Sequence, residues 1–130
     1  MGMQTAALVV ILAFALWLAF AGAAGVVRPA VARGWIGRFA TSQRINIAEQ
    51  LWRGLAGAAL VVRAPLSQAP QVFAVAGWVM VLSAALLLVI PLRWHSSYAL
   101  WWSRNLPLAI VPAAGLAALA AAAWLGISAL

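Results

Sequence analysis

Residues 6–27, 71–90 and 106–130 of this chain contain no charged side chain. At about 1.5 Å per helical residue, each stretch is long enough to cross a hydrocarbon core roughly 30 Å thick. Lipid offers backbone N–H and C=O groups no partners, so these stretches are expected to be helices rather than loops or open strands. Composition points the same way. Of the 130 residues, 68% are hydrophobic and 7% charged, against roughly 45–50% and about 25% in a soluble domain. A water-soluble globule is excluded, and the length allows a single domain, residues 1–130. Cysteine is absent, which excludes disulfides, thiol catalysis and thiolate metal sites.

Prolines punctuate the apolar runs. Arg28-Pro29 ends the first, and Pro70 and Pro91 frame the second. In the third, Pro107 suits a first helical turn capped by Ser103 or Asn105. Pro112 lies deeper and is expected to kink the helix by removing a bond to the Leu108 carbonyl. Ala21-Gly22-Ala23 imitates a signal-peptidase site, but no basic segment precedes the run and its apolar length is too great, so the first helix is expected to be retained.

Residues 45–63 read as a fourth span, although Glu49 and Arg53 lie inside them. Each charge alone would cost about 2.5–3.5 kcal/mol at a helix centre. Four residues apart with the acid first, they can pair on one face, and both lie nearer one interface, where arginine can snorkel. A re-entrant or interfacial helix is the alternative for this segment.

Charge then sets the orientation. The chain has eight arginines, no lysine, one acid and one histidine, for a net charge of +7. Arg28, Arg33, Arg38 and Arg44 fall in the first loop, Arg93 and Arg104 in the third, and only Arg63 borders the second. The arginine-rich loops are expected in the cytoplasm, with both termini outside. Trp35, Trp94, Trp101 and Trp102 lie near these loops, as interfacial anchors do. Trp17, Trp52, Trp78 and Trp124 fall in or near the spans and are expected to pack. Val31, Trp35 and Phe39 recur every four residues among arginines, which fits a short interfacial helix in loop 1. The six loop arginines are the expected contacts for anionic lipid headgroups. Topology consumes the positive charge, so nucleic acid is not an expected partner.

Asn46, Glu49, Gln50 and Arg53, continued by Gly57, share one face of the second helix. Such an intramembrane polar face is either an ion, proton or substrate site or a structural lock between helices. The lock is favoured, because a carboxylate tied to an arginine is a poor proton carrier. On the last helix Ala114, Ala118, Ala122 and Gly126 recur every four residues, a stripe that permits close helix approach. Gly54 with Ala58, and Ala21 with Gly25, repeat the spacing. His95 sits in RWHSSY with no second ligand nearby, which favours an interfacial hydrogen bond over a metal or pigment. No nucleophile with a base, paired carboxylates, phosphate loop or metal cluster is visible, so neither catalysis nor a cofactor is expected.

Arg53-Gly54 in a short second helix, Pro65 to Pro70, Gly77 in a third helix ending at Pro91, and a Trp-rich basic linker before a small-residue last helix form one pattern. Over most of residues 45–130 it resembles small uncharacterised four-helix bacterial inner-membrane proteins, which implies fold and location only. Small multidrug transporters share the length and helix count but carry an essential glutamate in the first helix, and here that helix is uncharged. The expectation is an all-α, multi-pass protein of the bacterial inner (cytoplasmic) membrane, with four transmembrane helices in an antiparallel bundle. Its expected role is a non-enzymatic accessory or scaffold subunit of a respiratory, photosynthetic or transport assembly. Its expected partners are membrane lipids and other integral membrane subunits. The alternative is a small oligomeric transporter or channel using the Glu49 face.

Overall fold

A computed structural model describes residues 2–38 and 42–130. Among them are six α-helices and no strand: α1 (Met3–Val27), α2 (Pro29–Arg38), α3 (Gln43–Arg63), α4 (Pro70–Val89), α5 (Leu92–Asn105) and α6 (Ile110–Ala129). A single 3-10 turn, Ala64–Leu66, follows α3. Phe39 of the expected interfacial helix lies outside the described residues.

Four helices run alongside one another and two lie at one end. Gln4 of α1 donates to the Val62 carbonyl at 2.8 Å, and Phe14 meets Trp52 with ring centroids 6.0 Å apart. Helices α1 and α3 are therefore antiparallel. Gly22 of α1 abuts Gly115 of α6, while Leu12 lies beside Gly126, so this pair is antiparallel too. Gly54 faces Ala84 and Gly57 faces Gly77, which sets α4 against α3 in the same way. It follows that α1 and α4 run in one direction and α3 and α6 in the other. The start of α1, the 64–69 connection and the end of α6 share one end, where Arg63 Nε donates to the Ala129 carbonyl at 2.9 Å. The amide N–H of Gln68 donates there to the Ser128 carbonyl. Helices α2 and α5 pack on each other at the opposite end, with Gly37 against Leu100 and Ser103. Arg33 and Arg38 on α2, Arg93 and Arg104 on α5, Arg28 between α1 and α2, and Arg44 at the start of α3 mark that second, arginine end.

Three helices, α1, α4 and α6, are long and apolar enough to cross a membrane. The expected fourth span, residues 45–63, is not among them. Helix α3 has the length, at 21 residues, but Glu49, Arg53 and Arg63 make it too polar to qualify by composition. Its direction nevertheless supplies the return stroke between the two parallel helices α1 and α4.

The last helix begins later than the sequence suggests. It starts at Ile110, and Ser103 and Asn105 belong to α5 instead of capping it. Asn105 Nδ2 donates to the Trp101 carbonyl within α5. Pro112 consequently falls in the first turn of α6, where no backbone donor is required. The Leu108 carbonyl receives the Val111 N–H, so Pro112 breaks no bond and needs no kink. Residues 92–105, read from sequence as a linker, form a second short amphipathic helix.

The core is small and lies toward the terminal end, around Ile11, Leu60, Phe73 and Leu125. Small residues let the helices approach closely enough to enclose it. A β-carbon on Gly77 would stand 2.6 Å from the Gly57 carbonyl oxygen, so only glycine fits that crossing.

Candidate functional site

The hydroxyl of Ser42 accepts the Ile45 N–H at 3.1 Å and caps α3 at its start. That cap begins the helix at Gln43, and the 3.6-residue period places Asn46, Glu49, Gln50 and Arg53 on one side. Asn46 and Gln50 are each only 1% exposed. A buried amide needs partners, because an unmet one costs about 1–3 kcal/mol. Here the partners form a chain. His95 Nδ1 lies 2.9 Å from Asn46 Oδ1. That oxygen can only accept, so Nδ1 carries the proton and donates. Gln50 Nε2 donates to the same oxygen at 3.4 Å and to Glu49 Oε2. The other Glu49 oxygen holds Arg53 Nη2. His95, Asn46, Gln50, Glu49 and Arg53 are thus connected across two helices, and Gln50 Oε1 is left buried without a protein donor.

The proton on Nδ1 fixes the far side of the ring. In neutral His95, Nε2 is a bare acceptor. The Glu49–Arg53 pair itself is incompletely covered, with side chains 19% and 34% exposed. It separates two hollows. One, of about 360 Å³, is bounded by Ile36, Glu49, Arg53, His95, Tyr98 and Trp102. The other, of about 290 Å³, lies toward Phe14, Trp17, Trp52 and Ser83. A larger apolar groove of about 580 Å³ runs between α1 and α2, with the stacked Phe20–Trp35 rings among its lining residues.

The polar face expected on α3 is therefore assembled, with a member the sequence reading left apart: His95, 49 positions away from Asn46. A signal for it exists. His95, Tyr98, Ala99 and Trp102 recur at helical spacing, and all four line the same hollow as Glu49.

The packing stripe on α6 departs from the expected one at a single position, Ala114. Ala122 is buried, Ala118 and Gly126 are half-buried, and Ala114 is exposed. The crossing with α1 centres on Gly115, one residue on from Ala114, facing Gly22 and Gly25. Of the tryptophans expected to pack, Trp17, Trp78 and Trp124 are exposed, and Trp52 is half-buried beside the Phe14 ring. Of the expected lipid-contacting arginines, Arg28, Arg38, Arg44, Arg93 and Arg104 are exposed. Arg33 is half-buried and donates through Nη1 to the Leu106 carbonyl at 3.1 Å, tying α2 to the end of α5. Among the described residues no three His, Cys, Asp or Glu side chains converge as a metal site.

The chain matches no protein-family model, no curated protein and no solved structure.

Proposed function

We propose that this chain is a non-enzymatic integral membrane protein of the bacterial inner membrane that serves as an accessory or scaffold subunit of a larger membrane assembly of the respiratory, photosynthetic or transport kind. The observation that carries this reading is the uncovered apolar surface of the three long helices. Only 17–22% of the most apolar stretch of each is buried within the chain. There is almost no hydrophilic mass through which to recognise anything in water. Lipid and the helices of other subunits are the surroundings that such surfaces accept.

In this arrangement α3 completes a four-helix crossing, its polar face turned toward α5 and away from lipid. The arginine end faces the cytoplasm, its exposed guanidinium groups lie against anionic headgroups, and both termini are outside. The Glu49–Arg53 pair then acts as a lock within the bundle.

A transport role is the second reading, favoured by the two hollows that flank the same ion pair. Purification of the tagged chain in mild detergent separates the two. A stable particle in which defined foreign subunits are present in fixed ratio supports the accessory role. A pure homo-oligomer whose reconstituted flux is abolished by Glu49→Gln overturns it.

A further inference from the structure

We infer that the hollow between α2, α3 and α5 is a headgroup site for a zwitterionic phospholipid bearing a primary ammonium, of the phosphatidylethanolamine class. The inference rests on the membrane reading above, which cell fractionation tests separately.

The hollow of about 360 Å³ is within the range of small-ligand sites, and its polar groups come as an opposed pair. Glu49 is the single acid of the chain, and its two oxygens each accept one hydrogen bond, from Arg53 and from Gln50. A carboxylate oxygen has room for a second donor. Arg53 spends Nη2 on Glu49, and the rest of its five-donor fork is available to an oxyanion. His95, held by Asn46 through Nδ1, presents Nε2 as a further acceptor. Tyr98 and Trp102 meet edge to face at 6.2 Å, and aromatic faces of this kind attract an ammonium.

A ligand complementary to this set carries both signs. Its ammonium is received by Glu49 and His95, and its phosphodiester by Arg53. An anionic lipid has no use for Glu49 and can be held by any of the exposed arginines at this end. A choline headgroup brings a cation without N–H donors. The remaining walls, Ile36 and Trp102 among them, are apolar, as is expected where a headgroup gives way to acyl chains.

Native mass spectrometry of the purified chain in mild detergent tests this. The added lipids are phosphatidylethanolamine, phosphatidylcholine and phosphatidylglycerol of identical acyl composition, and glycerophosphoethanolamine is the soluble competitor. The ethanolamine lipid is expected to bind about tenfold more tightly than the choline lipid, the worth of one charge-assisted hydrogen bond. Glu49→Gln should erase that preference, and Arg53→Gln should weaken both lipids alike. Tyr98→Ala alters a well-exposed side chain and leaves the ion pair in place, so it should weaken the ethanolamine lipid severalfold with an unchanged melting temperature. It decides the matter if Glu49→Gln fails to fold. Equal binding of the two zwitterions, a preference that survives Glu49→Gln, or ethanolamine-lipid binding left unchanged by Tyr98→Ala overturns the site. Displacement by glycerophosphoethanolamine at concentrations equal to the lipid's overturns the lipid assignment.

Discussion

Gly22 and Gly115 meet backbone to backbone where α1 crosses α6. A β-carbon on Gly115 would lie 2.5 Å from the Gly22 carbonyl oxygen, and one on Gly22 would lie 2.7 Å from that of Gly115. No side-chain movement relieves such a contact, because the obstacle is main chain. Gly115→Ala should therefore force the helices apart and cost about 1–3 kcal/mol. Gly34→Ala is the contrast: nothing lies within 4 Å of its added methyl. Relieved of glycine's flexibility within α2, that variant should gain about 0.5–1 kcal/mol. Thermal unfolding in detergent, followed by helical circular dichroism, should move in opposite directions for the two. Equal melting temperatures would show that the α1–α6 crossing is not tight.

The hydrogen bond from His95 to Asn46 fastens α5 to α3. His95→Ala would leave the buried Asn46 Oδ1 with only the longer bond from Gln50. A cost of about 1–3 kcal/mol is expected from an under-satisfied buried acceptor. Hydrogen exchange should rise along Leu92–Asn105 while the α1–α6 pair stays protected. Ser97→Ala, whose hydroxyl donates to the Arg93 carbonyl of its own helix, should change neither. Unaltered exchange in α5 after His95→Ala would mean that the bond does not hold the helix.

These two contacts also show where the sequence is legible and where it stops being so. The apolar runs announce α1, α4 and α6 because an uncharged stretch of that length has few other fates. The polar face of α3 is equally readable, since four polar residues at helical spacing in an apolar chain define a direction. Register on α6 is not readable. Where small residues are so frequent, nothing in the sequence shows that Gly115 and not Ala114 joins Ala118 and Ala122 on the packed face, and the facing glycine on α1 decides it. The pairing of His95 with Asn46 is hidden because it spans two helices brought together by the whole fold. Helix α5 was obscured by its own polarity, which looks like a linker until its one-sided His95–Tyr98–Trp102 spacing is laid on a helix.

Glu49 and Arg53 should behave as a unit. Removing the acid leaves Arg53 half-exposed with no counter-charge and Gln50 without its Glu49 acceptor. Removing the arginine leaves Glu49 with Gln50 alone. Each single change to glutamine should destabilise the protein, and the double change should cost less than the sum by about 0.5–3 kcal/mol. Unfolding of Glu49→Gln, Arg53→Gln and the double variant in the same detergent measures that coupling. Strictly additive losses would show that the pair is held by neighbours and not by one another.

The direction of α4 yields a final prediction about the membrane. If α3 lay in one interface and did not cross, α4 would enter from the side where α1 leaves and run antiparallel to it. Instead α4 runs parallel to α1. The preceding connection is bound to the opposite end, through Gln68 N–H to Ser128 and Arg63 Nε to Ala129. Both termini and residue 68 should accordingly lie on one side of the membrane, and Gly34 and Asn105 on the other. The absence of native cysteine makes the experiment clean, since each introduced cysteine is the chain's single thiol. In right-side-out vesicles, a membrane-impermeant maleimide should label Gly2→Cys, Gln68→Cys and Leu130→Cys, and should reach Gly34→Cys and Asn105→Cys only after permeabilisation. The six-to-one distribution of arginines sets which side is which. Labelling of residue 68 together with residue 34 would show that α3 does not cross. Reversed labelling of all five would keep the bundle and invert its orientation.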